Sequence, residues 1–231
     1  MKFDEYFKPF PVLRTPRLTL RSLTHRDVND VFDYCSRREV AEYVAWSPHR
    51  AANDSRGFID WVLMNYKNAL SVTWGVELSG ASEPPRGETA GHQGYDDALR
   101  GEGGIWKAPL GAQSHTPSVH SKIIGTCSYV QIDPHFKVAE LGYALSSDYW
   151  GMGLASEAAL ALVNFGFSHV GFQRIEARCM VENAASVRVL EKVGMRLEGV
   201  LRKGIYCKGA ARDLRLYAVT DEDYFKKLRM E

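Results

Sequence analysis

The sequence predicts an α/β or α+β fold built around one mixed sheet. Segments in which apolar and polar residues alternate, as in strands, are interspersed with segments whose apolar residues recur every three or four positions, as in helices. In chain order they predict strand, helix, helix, strand, a long insertion, strand, strand, helix, strand, helix, strand and a terminal helix. Because some consecutive strands are joined directly and others through a helix, we expect both antiparallel and parallel pairs.

Composition and charge favour a single cytoplasmic domain. The 231 residues, 45% of them hydrophobic, suffice for one domain over residues 1–231. A formal net charge of +1 gives no indication of nucleic-acid or membrane binding, and no apolar run approaches the roughly 18 residues of a membrane helix. The N-terminus lacks the apolar core of a signal peptide, and the four cysteines form no C-x-x-C pair. We expect a protein with reduced cysteines and no bound metal, as a monomer or homodimer.

The N-terminal half contains the first two strands and two helices. Thr24, followed three residues later by Asp27, forms a capping-box pattern at the start of the first helix. The residues that carry the pattern are Leu18 and Leu20 (strand), Val28, Val31, Phe32 and Cys35 (helix), Phe58, Ile59, Val62, Leu63 and Tyr66 (helix), and Val72, Trp74, Val76 and Leu78 (strand). From about 79 to 121 the periodicity gives way to Gly, Pro, Ser and His, which predicts an inserted loop.

The C-terminal half resumes with strands at 123–130 and 138–145, followed by a glycine-containing turn. The remaining predicted elements are a helix carrying Ala155, Ala158, Leu162 and Phe165, a strand from Arg174 to Met180, a helix from Asn183 to Val193 ended by Gly194, a strand from Leu214 to Val219, and a terminal helix capped by Thr220.

The turn from Tyr149 to Ser156 is typical of a phosphate-binding site. Its two glycines let the backbone approach an anion, and the helix that follows presents unpaired N–H groups and a positive dipole end. Gly151-x-Gly153-x-x-Ser156, with Glu176 further on, approximates the dinucleotide-binding pattern. The third glycine is absent, however, and the repeated βαβ units of a nicotinamide-binding fold are missing. A nicotinamide-dependent oxidoreductase is therefore the weaker alternative.

Written as Trp150-x-x-Gly153-x-Ala155, the turn is a variant of [Q/R]-x-x-G-x-[G/A], and the chain resembles the GNAT superfamily of N-acetyltransferases. Within it, the chain looks most like the RimJ/RimL-type ribosomal-protein alanine N-acetyltransferases. The resemblance implies a mixed, mostly antiparallel sheet flanked by helices and splayed between the strands at 138–146 and 174–180. The segments that carry the resemblance are Thr15 to Arg21, Trp46 to His49, Leu141 to Tyr143, Tyr149 to Gly153, Asn183 to Ser186, Val189 to Met195, and Glu198 with Gly199.

The resemblance implies acetyl-CoA as the acetyl donor. Its pyrophosphate would bind backbone amides of the glycine turn, and its pantetheine arm would insert between the splayed strands and pair with their free backbone groups. Asn183 would hydrogen-bond the arm, and it can also cap its helix. The implied cofactor-binding residues are Leu145, Ser146, Trp150, Gly151, Met152, Gly153, Leu154, Ala155, Asn183 and Ser186.

Amide formation from a thioester requires a base for the amine, a donor to the oxyanion and an acid for the thiolate. Glu140, on the strand expected to meet the thioester, is the candidate base, and a solvated or salt-bridged carboxylate is the alternative. A backbone N–H near Leu145 would stabilise the oxyanion. Many members of the superfamily use a Tyr as the acid, seven residues after the Asn that corresponds to Asn183. This chain has Leu190 at that position. Ser186, one helical turn after Asn183, is therefore the candidate acid, directly or through water, and a helix-surface serine bonded to the preceding turn is the alternative.

Three further positions concern the base and the acceptor. Some relatives in the ribosomal-protein branch carry a Glu near the position of Ile205, where it can serve as base. Here that position is apolar, so the identity of the base stays open. Trp46 and His49, between the first two helices, are candidates for binding the acceptor; the alternatives are an aromatic residue that anchors the proline turn and a solvated loop histidine. The expected reaction is direct transfer of acetyl to a primary amine, the N-terminal amine of a protein. Acetylation of a small-molecule amine and a non-catalytic CoA-binding module are the alternatives.

Overall fold

The computed structural model describes residues 3–67, 69, 71–79 and 122–230, so the predicted insertion at 79–121 lies almost entirely outside the described residues. The strands are β1 (Leu13–Arg14), β2 (Leu18–Ser22), β3 (Val72–Leu78), β4 (Ile123–Asp133), β5 (Val138–Leu145), β6 (Arg174–Met180), β7 (Arg196–Cys207) and β8 (Ala210–Thr220). The α-helices are α1 (Val28–Cys35), α2 (Arg38–Ala41), α3 (Ala52–Asn65), α4 (Leu154–Phe165), α5 (Ala184–Lys192) and α6 (Asp221–Leu228).

The strands form one sheet in the order β1-β2-β3-β4-β5-β6-β8-β7. Every neighbouring pair is antiparallel except β5 and β6, which run parallel. The predicted mixed, mostly antiparallel sheet is thereby confirmed. No helix within the described ranges is long and apolar enough to span a membrane.

The two central strands separate after a short contact. β5 pairs with β6 only from Val138 to Glu140, opposite Arg174 to Glu176. Beyond that point β5 continues to Leu145 beside β4, and β6 continues to Met180 beside β8. The sheet is therefore splayed, as the resemblance implied, and we call the space between the diverging strands the strand gap.

Helices cover both faces of the sheet. On one face, α4 and α5 pack Leu154, Leu162 and Leu190 against residues such as Leu141 and Ile175 in the main core. On the other, α1 and α3 form a second cluster with Val31, Ile59 and Ile123, against which Ala144 packs. Alternation along β5 therefore places Leu141, Tyr143 and Leu145 toward α4 and α5, and Glu140 and Ala144 toward α1 and α3.

Most predicted elements are present within a few residues of their expected bounds. The capping box forms: Thr24 N–H donates to Asp27 Oδ2 at 2.7 Å, and Thr24 Oγ1 accepts from Arg26 N–H at 3.3 Å. The strand β7 was not predicted. It lies at the edge of the sheet and is exposed along almost its whole length, so its sequence lacks the alternation of a strand with one buried face.

Candidate active site

The strand gap exposes backbone groups of β5. Ser146 N–H donates to the Ile124 carbonyl on β4 at 2.8 Å, so the N–H and C=O groups of Leu141, Tyr143 and Leu145 point away from β4 and toward the gap. In agreement, the Leu145 carbonyl accepts a hydrogen bond from Trp150 Nε1 at 2.9 Å. The gap thus offers a row of backbone groups to an inserted extended ligand.

The glycine turn leads into α4 in the conformation that only glycine adopts readily. Gly151 has φ of 78° and Gly153, the N-cap of α4, has φ of 75°. No described residue accepts a hydrogen bond from the backbone N–H groups of Gly153, Leu154 or Ala155. Nearby in sequence, Ser146 is buried, and its Oγ has no hydrogen-bond partner in the described part of the chain. The N–H groups at the start of α4 can bind an anion.

Arg17 contacts the glycine turn and the first turn of α4. Its Nη1 donates to the Met152 carbonyl at 2.9 Å, and its Nε donates to Glu157 Oε2 at 2.6 Å. Glu157 also accepts from Thr15 Oγ1 at 2.5 Å and from Arg17 N–H at 2.9 Å. A carboxylate in the first turn of α4 would repel an anion bound there, and the guanidinium of Arg17 offsets that charge.

Ser186, Asn183 and Tyr143 form one hydrogen-bonded group between α5 and β5. Asn183 Oδ1 accepts from Ser186 N–H at 3.0 Å, so Asn183 caps α5. The Tyr143 hydroxyl lies 2.8 Å from Ser186 Oγ, and either oxygen can donate. Burial raises the pKa of Tyr143, so its hydroxyl stays protonated at neutral pH. Leu190, one turn further along α5, is buried in the main core.

Glu140 lies where β5 and β6 part, in a row of ion pairs. Arg178 Nη1 donates to Glu140 Oε2 at 2.8 Å and its Nη2 donates to Glu176 Oε1 at 2.8 Å. Arg174 then joins Glu176 to Glu198. Burial raises the pKa of Glu140; Arg178 opposes this rise and the carboxylate of Glu176 adds to it.

The two predicted catalytic residues occupy opposite faces of β5. Glu140 faces α1 and α3, whereas Ser186 lies on α5 and contacts Tyr143, which points the other way. The strand gap begins directly after the pair of Glu140 and Glu176. The arrangement allows one group to act on a ligand in the gap from one face and the other group from the opposite face.

Trp46 and His49 contact each other, with ring centroids 5.6 Å apart, and Trp46 packs against the cluster of α1 and α3. His49 Nδ1 lies 2.8 Å from Ser55 Oγ, and burial lowers the pKa of His49. No contact joins either residue to Glu140 or Ser186 among the described residues. Both lie on the Glu140 face of the molecule.

A surface cleft of about 250 Å³ opens beyond the end of β6. Tyr43, from the segment after α2, packs there against Met180 and Cys207. By alternation, Met180 is on the same face of β6 as Glu176 and Arg178. The position of Ile205 adjoins the same apolar cluster. Charged residues of the cleft wall are Glu42, Glu182, Lys208 and Arg212.

Sequence reasoning did not select Tyr143, Arg17 or Arg178 as site residues. Period-two alternation placed Tyr143 on the face opposite Glu140, but its hydroxyl contact with Ser186 depends on how α5 packs on β5. Arg17 belongs to a segment that carried the family resemblance, and Arg178 required the register of β5 against β6. Each of these contacts joins residues far apart in the chain.

Comparisons with known proteins agree with this geometry. The family model described as the acetyltransferase (GNAT) domain matches residues 17–196. The uncharacterized N-acetyltransferase YoaA of Bacillus subtilis is 27% identical over 210 residues, covering 91% of this chain and 97% of YoaA. The ribosomal-protein-serine acetyltransferase of Escherichia coli is 34% identical over 97 residues, 42% of this chain and 54% of that protein. The structure of RimL, a ribosomal L7/L12 alpha-N-protein acetyltransferase in complex with coenzyme A, superposes with a TM-score of 0.67 at 17% identity, covering 91% and 98% of the two chains.

Proposed function

The chain belongs to the GNAT family of acetyl-CoA-dependent N-acetyltransferases, and we propose that it acetylates the N-terminal amine of a protein, as a ribosomal-protein alanine N-acetyltransferase does. Because the members of this family are acetyltransferases, we set aside the two alternatives of a nicotinamide-dependent oxidoreductase and a non-catalytic CoA-binding module.

The residues present fit acetyl-CoA. Free N–H groups of Gly153, Leu154 and Ala155 suit a pyrophosphate, and the β5 backbone groups that face the gap suit the amides of a pantetheine arm. The buried Ser146 Oγ, without a partner among described residues, offers one further polar contact. When bound, acetyl-CoA supplies an activated acetyl thioester.

In the proposed reaction Glu140 removes a proton from the acceptor amine, directly or through water. The amine nitrogen forms a bond to the acetyl carbon, and the Leu145 N–H, which faces the gap, donates to the developing oxyanion. The carbon–sulfur bond then breaks, and Ser186 gives a proton to the sulfur. Tyr143 passes its own proton to Ser186 and regains one from solvent, and Glu140 releases the amine proton to solvent, which balances the transfer.

The observation that favours a protein N-terminus is the cleft at the open end of the strand gap. It lies on the Glu140 face and is walled by exposed charged side chains, so a chain end can enter it from solvent while the rest of the acceptor stays outside. The similarity to the Escherichia coli ribosomal-protein-serine acetyltransferase supports the same class of acceptor. A small-molecule amine is the alternative substrate.

A thiol-release screen tests the acceptor. Acetyl-CoA and the full-length protein are incubated with synthetic peptides that have free N-termini, among them peptides beginning with alanine or serine, and with a panel of small amines. We expect CoA release that depends on a peptide N-terminus. Release only with small amines would replace the proposed acceptor, and no release with any amine would contradict the catalytic proposal.

A further inference from the structure

Arg178 is the cation that joins the candidate base to a second carboxylate. Glu140 and Glu176 are direct partners in the β5–β6 register, so their side chains lie side by side on one face of the sheet. Arg178, two residues beyond Glu176 on the same face, donates to both carboxylates at 2.8 Å. Glu140 has 18% of its side chain exposed and Glu176 has 16%, so water screens the three charges incompletely.

The other sheet residues that the structure describes directly opposite Glu140, Glu176 and Arg178 are uncharged. Its partner on β4 is Gln131, and the β8 residues opposite Glu176 and Arg178 are Ala218 and Leu216. Within the described part of the chain, the charged groups acting on Glu140 are Arg178 and Glu176. Arg174 contacts Glu176 and Glu198 and does not contact Glu140.

We propose that Arg178 is a positioning residue for catalysis: its guanidinium bridges Glu140 and Glu176 and keeps Glu140 ionised at the point where the strands part, ready to accept the amine proton. This inference rests on the proposed function, in which Glu140 is the base.

The reason is the repulsion between neighbouring carboxylates. Two carboxylates that share a poorly hydrated site cannot both ionise easily unless a cation lies between them, and one of them otherwise keeps a proton. A protonated Glu140 cannot act as a base. The planar guanidinium of Arg178 presents separate N–H donors to the two acids, which a lysine ammonium cannot reproduce in the same geometry.

The bridge leaves the base available. Arg178 occupies Oε2 of Glu140, and Oε1 has no hydrogen-bond partner among the residues that the structure describes. The bond to Oε2 thus fixes the orientation of the Glu140 carboxylate, and Oε1 can accept a proton from a ligand in the strand gap.

The test compares Arg178→Gln, Glu176→Gln and, as the matched control, Arg174→Gln in the full chain. The first measurement is the pH titration of the Glu140 carboxyl carbon by ¹³C NMR, assigned with Glu140→Gln. The second is the pH profile of kcat/KM for acetyl transfer to a synthetic peptide with an N-terminal alanine.

We expect Arg178→Gln to move the NMR midpoint and the acid limb of the profile to higher pH, with kcat/KM at pH 6 falling roughly tenfold further than at pH 8. Glu176→Gln should move both to lower pH, and Arg174→Gln should move neither appreciably.

The outcomes separate this inference from the proposed function. An unmoved NMR midpoint in Arg178→Gln overturns the inference and leaves the proposed reaction intact. A midpoint that moves while the acid limb stays in place shows that Glu140 is not the base, which overturns both. If Arg178→Gln does not fold, Glu176→Gln provides the test, because the inference requires a lower NMR midpoint for Glu140 in that variant. Arg178→Lys, which keeps a positive charge, should raise the midpoint less than Arg178→Gln does.

Discussion

The hydroxyl groups of Tyr143 and Ser186 lie 2.8 Å apart, joining a strand that borders the gap to the helix that follows β6. Ser186 was selected from sequence as the proton donor, and the structure gives it a protonated partner. Partial burial raises the pKa of Tyr143, so its hydroxyl keeps its proton at neutral pH and can pass it to Ser186. The contact suggests that acid catalysis belongs to both hydroxyls.

Replacing Ser186 by Ala should lower kcat by about 100-fold, and Tyr143→Phe by about tenfold, since positioned acids contribute factors of this order. The dissociation constant for CoA, measured by calorimetry, should change little in either variant. The matched control is Ser168→Ala, which removes a serine hydroxyl that lies 3.4 Å from the hydroxyl of Tyr224 on an exposed surface. A full kcat in Ser186→Ala would remove Ser186 from the mechanism.

Gly151→Ala should weaken acetyl-CoA binding because the turn that presents the α4 amides must change conformation. At φ of 78° an alanine is strained by about 1–2 kcal/mol, although its Cβ would meet no atom within 4 Å. Gly171, with φ of 77° and equally open space, is the control with the same strain outside the turn. Both Ala variants should lose similar stability in urea unfolding. Only Gly151→Ala should raise KM for acetyl-CoA, by roughly fivefold, and equal KM values would argue against an amide site at the turn.

Arg17→Met should raise KM for acetyl-CoA by about tenfold because it leaves the Glu157 carboxylate uncompensated in the first turn of α4. Adding Glu157→Gln to this variant should recover most of the loss, since no charge is then left to repel the pyrophosphate. Steady-state kinetics of the wild type, the two single variants and the double variant complete the cycle. An unchanged KM in Arg17→Met would mean that the bound anion lies elsewhere.

Because of Asp27, the free energy of unfolding should depend on pH in the acid range. Burial alone would raise the pKa of Asp27, but hydrogen bonds from Arg21 and Thr24 lower it overall. A carboxyl with a lowered folded-state pKa stabilises the fold above its unfolded-state pKa, and this stabilisation is lost as pH falls through the folded-state value. Asp27→Asn should therefore lose about 3 kcal/mol at pH 7 in urea unfolding, and the difference from wild type should shrink in strong acid.

The control for that measurement is Asp60→Asn. Asp60 pairs with His25 at 2.7 Å on the surface, where both side chains are more than half exposed. Exposed pairs contribute little, so we expect a change within about 0.5 kcal/mol at pH 7. A comparable loss in both variants would show that the burial of Asp27 is not the source of its effect.

Much of the fold was predictable because local patterns agree with the final packing. Thr24 and Asp27 form their capping box within four residues, and the alternation of Val72 to Leu78 predicts the strand, although the structure buries both faces of it from Val72 to Val76. The strand β7 was missed because an exposed edge strand carries no such pattern. The short α2 was missed as well, since four residues are too few to show a helical period.

The candidate site was predictable in part for the same reason. The glycine turn, Asn183 and Ser186 belong to short motifs whose chemistry can be inferred locally. The partners of Glu140 could not be inferred, because Arg178 reaches it only through the parallel register of β5 and β6. Trp46 and His49 were selected by motif, and whether they bind the acceptor stays a prediction.

The most direct test of the account is tandem mass spectrometry of a peptide incubated with the protein and acetyl-CoA. The peptide begins with alanine, contains one internal lysine, and is compared with the same peptide carrying a blocked N-terminus. We predict a single acetyl group on the α-nitrogen of the alanine, no product with the blocked peptide, and a strongly reduced yield with Ser186→Ala. Acetylation of the lysine in both peptides, with the α-amine unmodified, would contradict the proposed acceptor.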